Sequence, residues 1–380
     1  MKRIRGLARL LIACCLAGAT LEIAARADDW LRYRADPLAY YGPLNLRWVD
    51  DQGLSFNRPG IRYEIREHDE HGFRKHPYAA TAGNDAALDV VCLGTSESYG
   101  LYERAGREWP AALGALTAPD GFRSLNASVV GMSPFQYAAY LDRYVLPLRP
   151  EFVILLLSPF SVVQGMRGDE PLGAADFADP VRIDRMRASC RPTWKDGSRF
   201  LAKARASARS RLPAAWTDAI AAGLHRLSTL RRGAPSGRAA AHLDAPPPRV
   251  LEVYTRLMDD LSQRLAASGA VAIFATYPDG LRLDGSLAAA QGMLDRQLWL
   301  PDYTPAGLLA ISREFAAATR AHCDSLGYPL IDLEAALPKD ADTFADSVHL
   351  TEAGAALAAA AARETLLQTA GSRTRRGKAP

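Results

Sequence analysis

The chain has 380 residues, of which 48% are hydrophobic, 23% charged and 8% aromatic. This length and composition allow one large folded domain or two ordinary ones, and they exclude a mini-protein, a fibre and a largely disordered chain. The formal net charge is +4, but five basic residues and one acidic residue precede residue 28, so the rest of the chain is neutral. Composition therefore gives no support to a nucleic-acid-binding protein.

The first 27 residues have the pattern of an export signal. A basic start is followed by an apolar stretch from Leu10 to Ala25, interrupted by Thr20 and Glu22. Two interpretations stay open. Cleavage after the small-residue pattern Ala25-Arg26-Ala27 would release a soluble protein, whereas an uncleaved segment would be a short membrane anchor with its basic end in the cytoplasm. Both predict an extracytoplasmic location, either periplasmic, secreted or anchored in the inner membrane.

Residues 28–87 mix Tyr, Trp, Pro and Gly without a sustained period, which predicts an extended arm that packs against the main domain. Four short apolar runs follow, each typical of a strand that is buried on both faces. They occupy residues 89–94, 152–157, 271–276 and 329–332. An amphipathic helix is predicted over 251–265, with Gly269 as its stop, and another begins near Thr304 and Pro305. This alternation predicts an α/β fold in which helices flank both faces of a parallel sheet.

The second and third predicted strands are separated by more than ninety residues, too many for an ordinary crossover, so residues 161–249 are predicted to be a mostly helical insertion. Its segment 200–242 carries eight basic residues against Asp218 alone. One interpretation is a solvated helical cap with an Arg-rich outer face; the other is a patch that faces an acidic polymer or anionic lipid head groups. The main domain is predicted to span residues 88–366, followed by a disordered tail over 367–380.

Three cysteines lie outside the leader, namely Cys92, Cys190 and Cys323, an odd number without metal-type spacing. Cys92 is predicted to be a small buried side chain within a strand. Cys190 and Cys323 could form a disulfide in an oxidising compartment. The segment 68–76 contains His68, His71 and His76, but this spacing fits no standard metal site, so a solvated loop is predicted.

Two segments far apart in the chain carry residues suited to nucleophilic catalysis. Ser96 follows the first predicted strand, at the edge where open α/β sheets place their ligands. Asp346 and His349 lie three residues apart on a predicted turn, where a carboxylate can orient an imidazole toward a nucleophile. Ser, Asp and His in this order form a plausible triad. Glu97 is predicted to be an acid at the start of a helix.

These motifs resemble those of the SGNH hydrolases, also called the GDSL esterase and lipase family, in its membrane-tethered or exported bacterial form. Gly94-Thr95-Ser96 stands where the family has its Gly-Asp-Ser block, and residues 126–131 are similar to its second, glycine-bearing block. Asp346-Ser347-Val348-His349 matches the Asp-x-x-His block, and Gly72-Phe73-Arg74 is similar to an element of membrane-tethered members. The resemblance covers the domain without its insertion and implies an SGNH or flavodoxin-like three-layer sandwich.

The resemblance also implies a role for each matched residue. Ser96 would attack an ester carbonyl, His349 would act as the base, and Asp346 would hold His349 in place. The backbone N–H groups of Ser96 and Gly131 would form the oxyanion hole. The resemblance implies no metal and no cofactor.

Two positions depart from the family pattern. Thr95 replaces an Asp, which removes no catalytic group. More importantly, the family's third block carries an Asn that donates to the oxyanion, whereas Phe160 stands at or near this position and no Asn follows Asn126. Losing one such donor typically costs about a hundred- to a thousand-fold in rate, so either another group substitutes or turnover is slow. Position alone suggests three substitutes: Ser158, Ser161 and Gln164.

The sequence therefore predicts a serine ester hydrolase that removes O-acyl groups, most simply acetyl, from a cell-envelope glycan or lipid. One alternative is an O-acyltransferase on the same scaffold, since access of water decides between hydrolysis and transfer. Another is a non-catalytic envelope assembly or binding protein with a decayed site, which Phe160 favours and the intact triad opposes. An α/β-hydrolase is excluded because its nucleophile elbow requires a glycine where this chain has Ser98.

Overall fold

The computed structural model describes most of the chain, in eight segments: residues 2–33, 46–63, 66–77, 88–190, 198–201, 203–204, 243–284 and 287–376. The chain divides into two compact units. The first contains residues 1–46, 62–65 and 189–238, and the second contains the remainder. Most of the basic segment predicted over 200–242 lies outside the described residues, so both interpretations of that segment stay open.

In the first unit, helix α1 (Lys2–Tyr33) runs through the predicted leader and beyond it. Residues 28–33 are therefore helical, and the prediction that an extended arm begins at residue 28 was wrong. Ion pairs one helical turn apart help to continue the helix, with 2.8 Å between Arg26 and Glu22 and 2.7 Å between Arg32 and Asp28. Within the described residues, no helix has both the length and the apolar character needed to cross a membrane.

The C-terminal half of α1 binds a short segment of the insertion that belongs to the same unit. Glu22 accepts a hydrogen bond of 2.9 Å from the backbone N–H of Arg199. The Arg199 guanidinium in turn pairs with Asp29 at 2.6 Å, and both side chains are nearly fully buried. Glu22, which interrupts the apolar leader, is thus a structural contact within this unit.

Eleven strands are described, all short. Their bounds are β1 (Arg47–Val49), β2 (Ser55–Asn57), β3 (Arg62–Tyr63), β4 (Arg66–Glu67), β5 (Leu88–Leu93), β6 (Phe122–Asn126), β7 (Phe152–Leu156), β8 (Met166–Arg167), β9 (Glu170–Pro171), β10 (Val271–Ala275) and β11 (Leu330–Ile331). Five of them form the central sheet of the second unit, in the order β11-β10-β7-β5-β6 with every neighbouring pair parallel. The four predicted strands are confirmed within one or two residues at each end, and β6 is an additional strand.

Helices of widely different length connect these strands. They are α2 (Ser96–Tyr99), α3 (Trp109–Thr117), α4 (Tyr137–Tyr140), α5 (Pro159–Gln164), α6 (Ala174–Phe177), α7 (Pro180–Ser189), α8 (Pro248–Ala267), α9 (Leu287–Trp299), α10 (Pro305–Leu326), α11 (Leu333–Ala336) and α12 (Glu352–Arg376). Shorter 3₁₀ turns occur at Ala118–Asp120, Pro134–Gln136 and Leu146–Leu148, and a π-helical turn at Leu141–Val145. The predicted cap of α10 is confirmed, because Thr304 Oγ1 accepts the N–H of Gly307 at 3.0 Å.

The helices pack in two groups: α3 contacts α12, whereas α8 and α10 contact each other and β10. The chain passes from β5 to β6 in one direction across the sheet and then from β6 to β7, β10 and β11 in the other. Right-handed crossovers place helices from these two directions on opposite faces. The predicted α/β sandwich is therefore confirmed, with all five residues of β7 buried at its centre.

The short strands β1 and β2 pair antiparallel in the region predicted to be an extended arm. Leu54 and Phe73 from this region are buried in the core of the second unit. At the other end of the chain, α12 continues to Arg376, so the prediction of a disordered tail from residue 367 was wrong. The helix continues because Leu367 and Ala370 pack against the core, which provides tertiary support.

All three cysteines outside the leader are buried free thiols: Cys92, Cys190 and Cys323. The possible disulfide between Cys190 and Cys323 is therefore not formed. Cys92 lies within β5 as predicted, and burial raises the pKa of the Cys92 thiol far above its usual range.

Candidate active site

Ser96 is the first residue of α2, directly after β5 and the connecting residues Gly94 and Thr95. The chain turns sharply here, and a Cβ atom on Gly94 would lie 2.4 Å from Ser98 Oγ and 3.4 Å from Leu156 Cβ. Only a glycine allows α2 to fold this closely over the end of the sheet. Ser96 is consequently held at the carboxyl edge of the central strands, as the sequence predicts.

The structure brings Ser96, His349 and Asp346 together. His349 Nε2 lies 2.8 Å from Ser96 Oγ, and His349 Nδ1 lies 2.7 Å from Asp346 Oδ2. The other carboxylate oxygen of Asp346 accepts the backbone N–H groups of Val348 and His349, each at 2.9 Å. This turn fixes the carboxylate, so the imidazole is held with one nitrogen on Asp346 and the other on the Ser96 hydroxyl.

The charges around His349 favour its protonated form. Burial alone would lower the pKa of His349, but the hydrogen bond and negative charge of Asp346, helped by the charge of Glu97, raise the pKa above its usual value. Burial likewise opposes ionisation of Asp346, yet its hydrogen bonds to His349 and to the turn lower the pKa of Asp346 to about 2. Asp346 is therefore ionised at neutral pH, and His349 is a stronger base than a free imidazole.

The second predicted block lies beside the first. The backbone N–H of Val129 donates to the carbonyl of Gly94 at 3.1 Å, and the buried side chain of Asn126 donates to the carbonyl of Ser98 at 3.1 Å. These bonds tie the end of β6 and the loop after it to the segment from Gly94 to Ser98. Gly131 at the end of this loop is thereby held in the neighbourhood of the loop that carries Ser96.

Gly131 adopts a backbone conformation that favours glycine, with φ of 69°. Arg47 Nη1 donates to the carbonyls of Val130 and Gly131 at 3.2 and 3.3 Å. The Gly131 N–H and the Val130 carbonyl belong to the same peptide unit, and in a planar trans peptide these two groups point in opposite directions. Because Arg47 binds the Val130 carbonyl, the Gly131 N–H points away from Arg47. Among the described residues, neither the Gly131 N–H nor the Ser96 N–H donates a hydrogen bond to a protein group. Both N–H groups are therefore available as hydrogen-bond donors, as the predicted oxyanion hole requires.

Glu97 is buried next to Ser96 and is not only an acid at the start of a helix. Its carboxylate accepts hydrogen bonds from the hydroxyl of Thr95 and from the phenol of Tyr277. Thr95, the residue that departs from the family block, therefore anchors Glu97. Tyr277 was missed at the sequence level, although its place two residues after β10 puts it at the carboxyl edge of the sheet, where functional residues collect.

Phe160, which the sequence places at or near the position of the oxyanion Asn in the family that this chain resembles, is buried in α5. Of the three predicted substitutes, Ser158 Oγ accepts the N–H of Ser161 as the N-cap of α5, and Gln164 is exposed at the end of that helix. An oxyanion role for Ser158, Ser161 or Gln164 stays a prediction. The Phe160 ring instead contacts Tyr277, with 5.8 Å between ring centroids, and the guanidinium of Arg296 lies 5.3 Å from its centroid. Arg296 was not predicted.

The histidine-containing segment is largely buried, and the prediction of a solvated loop was wrong for two of its histidines. His68 is buried, and its ring nitrogens lie 2.8 Å from the Arg58 carbonyl and 2.8 Å from the Tyr99 hydroxyl. Burial lowers the pKa of both His68 and His76 to about 4. Among the residues described, no group of three His, Cys, Asp or Glu side chains could hold a metal ion.

Comparisons with family models and with curated proteins find no match. Several solved structures are similar. One is a protein from Desulfitobacterium hafniense described as lipolytic and of the G-D-S-L family, 13% identical, with 73% of this chain and 99% of that chain covered and a TM-score of 0.38. Another is a catalytic mutant of an acetylxylan esterase from Geobacillus stearothermophilus, 12% identical, with 74% and 94% covered and a TM-score of 0.39. A GDSL-like lipase from Bacteroides thetaiotaomicron is 8% identical, with 76% and 93% covered and a TM-score of 0.40.

Two of these descriptions, those from Desulfitobacterium hafniense and Bacteroides thetaiotaomicron, contain the term GDSL. Identities this low do not transfer a substrate from one protein to another. The functional conclusion therefore rests on the geometry of the site itself.

Proposed function

We propose that this protein is a serine ester hydrolase of the SGNH type that removes O-acyl groups, most simply acetyl, from a cell-envelope glycan or lipid outside the cytoplasm. The observation that carries the proposal is the hydrogen-bonded chain from Ser96 through His349 to Asp346, with distances of 2.8 and 2.7 Å. Three residues from two distant segments meet here in the arrangement that activates a serine. The export-like leader supports the location.

In the proposed reaction, Ser96 Oγ attacks the ester carbonyl while His349 Nε2 takes the hydroxyl proton. The carbonyl oxygen becomes an oxyanion, which the N–H groups of Ser96 and Gly131 stabilise. His349 then gives its proton to the leaving alkoxide, and an acyl-enzyme remains on Ser96. A water molecule, deprotonated by His349, attacks the acyl carbon and releases the carboxylic acid and free Ser96.

Replacement of the nucleophile tests the proposal. Ser96→Ala should abolish both the hydrolysis of p-nitrophenyl acetate and covalent labelling by a fluorophosphonate. Ser98→Ala is a matched control on the same helix, because the Ser98 hydroxyl is buried without a hydrogen-bond partner in the described structure, and it should keep both properties. Labelling that persists in Ser96→Ala would overturn Ser96 as nucleophile, and a wild-type protein that neither labels nor turns over ester would indicate a binding protein.

Hydrolysis and acyl transfer share the acyl-enzyme, so the products must separate them. With an acetyl ester donor and an excess of a sugar acceptor, a hydrolase releases acetate and leaves the acceptor unmodified. An acetylated sugar that forms at the expense of free acetate would instead establish the transferase alternative.

A further inference from the structure

The guanidinium of Arg296 lies beside the triad and makes no ion pair with any residue that the structure describes. Its Nε donates to Ser347 Oγ at 3.2 Å, and Ser347 directly follows Asp346 in the chain. On the other side, its carbon atom Cζ lies 5.3 Å from the centroid of the Phe160 ring. Arg296 therefore sits between the segment that carries the base and the helix that carries Phe160.

A close helix approach fixes this position. Gly292 and Arg296 are four residues apart on α9 and so lie on the same face of the helix. A Cβ atom on Gly292 would lie 3.3 Å from Ser347 Cβ, so α9 lies close against the segment that carries Asp346 and His349. The charge of Arg296 acts on both His349 and Tyr277, where it opposes the increase in their pKa values. Its side chain therefore belongs to the environment of the reacting groups.

Among the described residues, Arg296 has no counter-ion, unlike several other arginines of the same unit. Arg104, Arg187, Arg282 and Arg320 each bind a carboxylate at 2.6 or 2.7 Å. Arg296 is half-buried, yet none of the described carboxylates lies within ion-pair distance of it. Within the described residues, its two terminal nitrogens also have no hydrogen-bond partner. Neither nitrogen is among the buried atoms that lack a hydrogen-bond partner, so both reach solvent and a substrate anion can reach them.

We infer that Arg296 is a specificity-determining residue that binds a carboxylate of the substrate next to the scissile ester, so that the preferred substrate is an O-acylated acidic glycan, such as one that contains uronic acid. This inference rests on the proposed function. Because Nε is occupied by Ser347, the two terminal nitrogens remain to receive the two oxygens of a planar carboxylate. The substrate must have a free carboxylate close to the acylated hydroxyl.

A pair of matched substrates tests the inference. Acetylated methyl glucuronoside and acetylated methyl glucoside present the same ester and differ in the carboxylate. The wild type should have a higher kcat/KM for the glucuronoside by roughly ten- to a hundred-fold, the range expected for a charge-assisted hydrogen bond. In Arg296→Gln the ratio of the two kcat/KM values should fall to about 1, chiefly through an increase in KM for the glucuronoside. Arg296→Lys should keep part of the preference.

Controls separate the competing outcomes. Arg313→Gln removes an exposed positive charge from α10 and should keep the ratio. If Arg296→Gln lowers kcat/KM equally for both substrates, through kcat, the inference is overturned and Arg296 instead stabilises the oxyanion. No preference in the wild type would also overturn it. A preference for a phosphorylated sugar ester over the glucuronoside would show that Arg296 binds a phosphate of the substrate and not a carboxylate.

Direct binding separates this inference from the proposed function. Deacetylated methyl glucuronoside should bind the wild type more tightly than Arg296→Gln in a calorimetric titration, whether or not the protein turns over any ester. If esters are hydrolysed but the glucuronoside does not bind, the inference fails alone. If Ser96→Ala keeps full activity, the proposed function fails, and the binding experiment still decides whether an anion site exists.

Discussion

The phenolic hydroxyl of Tyr277 donates a hydrogen bond to the buried carboxylate of Glu97, the residue that follows Ser96. This contact joins α2, which follows β5, to the loop after β10, and these two strands are separated in the sheet by β7. Burial and the Glu97 charge both raise the pKa of Tyr277 well above its usual range, so the phenol stays protonated and acts as a permanent donor. Glu97 is thus held in a fixed position near His349.

Glu97→Gln should lower the pKa of His349. The Glu97 charge helps to raise this pKa, and glutamine keeps the size of the side chain while removing the charge. Since the base must be neutral to accept a proton, the acidic limb of the kcat/KM profile should move to lower pH. A full pH profile measures this. Glu364→Gln, an exposed position on α12, is the control, and an unmoved limb in Glu97→Gln would show that Glu97 acts only in packing.

The wild-type pH profile and Asp346→Asn test the triad itself. Because the pKa of His349 is raised above 6.5, kcat/KM should increase with pH through a midpoint above 6.5 and then level off. Asp346→Asn removes the charge that raises this pKa, so the midpoint should fall, and kcat should drop by about a thousand- to ten-thousand-fold. A midpoint below 6.5 in the wild type would contradict a base that Asp346 supports.

Gly131→Ala tests the second oxyanion donor. An added Cβ would lie 2.6 Å from Arg47 Nη1 at a residue with φ of 69°, so the Arg47 side chain must leave the Val130 and Gly131 carbonyls that it binds, and the orientation of the Gly131 N–H is no longer fixed. Loss of one donor should lower kcat by roughly a hundred-fold or more. Gly121→Ala is a matched control, since its φ is 84° but no atom lies within 4 Å of the added Cβ. It carries the same backbone strain and should lose stability without losing kcat. Equal kcat in the two variants would exclude Gly131 from the oxyanion hole.

The sequence predicts the central strands well because burial on both faces leaves continuous apolar runs, as in Val153–Leu156. Strand β6 was missed because Arg123 and Ser124 interrupt its apolar character. In the C-terminal segment, the basic residues after Gly371 suggest disorder. The helix is stabilised there because Leu367 and Ala370 pack against the core. Such support depends on tertiary contacts that composition does not reveal.

The same contrast applies to the candidate site. Ser96, Asp346 and His349 stand in short local patterns, so their meeting could be predicted from the chain alone. Tyr277 and Arg296 carry no such pattern. Their positions follow from the packing of β10 against β7 and from the close approach of α9 at Gly292, and both depend on contacts between distant segments.

Arg74→Met should destabilise the protein severely. Arg74 is fully buried and donates to the carbonyl of Tyr99 at 2.7 Å and to the carbonyl of Glu103 at 2.7 Å, while its Nε lies 3.6 Å from the equally buried Glu108 carboxylate. It therefore holds the C-terminal end of α2, the helix that begins at Ser96. Without the arginine, these carbonyls and the Glu108 carboxyl lose their buried partner, and breaking such a pair typically costs about 3–5 kcal/mol of unfolding free energy. Urea denaturation measures the loss.

Two further variants identify the source of this effect. Arg74→Met combined with Glu108→Gln should recover part of the lost stability, because no unpaired charge then remains at Glu108. Lys75→Met changes the next residue, whose side chain is 58% exposed and pairs across the surface with Glu67, so the unfolding free energy should change by about 0.5 kcal/mol or less. If the double variant is no more stable than Arg74→Met, the stabilisation comes from the carbonyl contacts at the end of α2 and not from the pairing of charges.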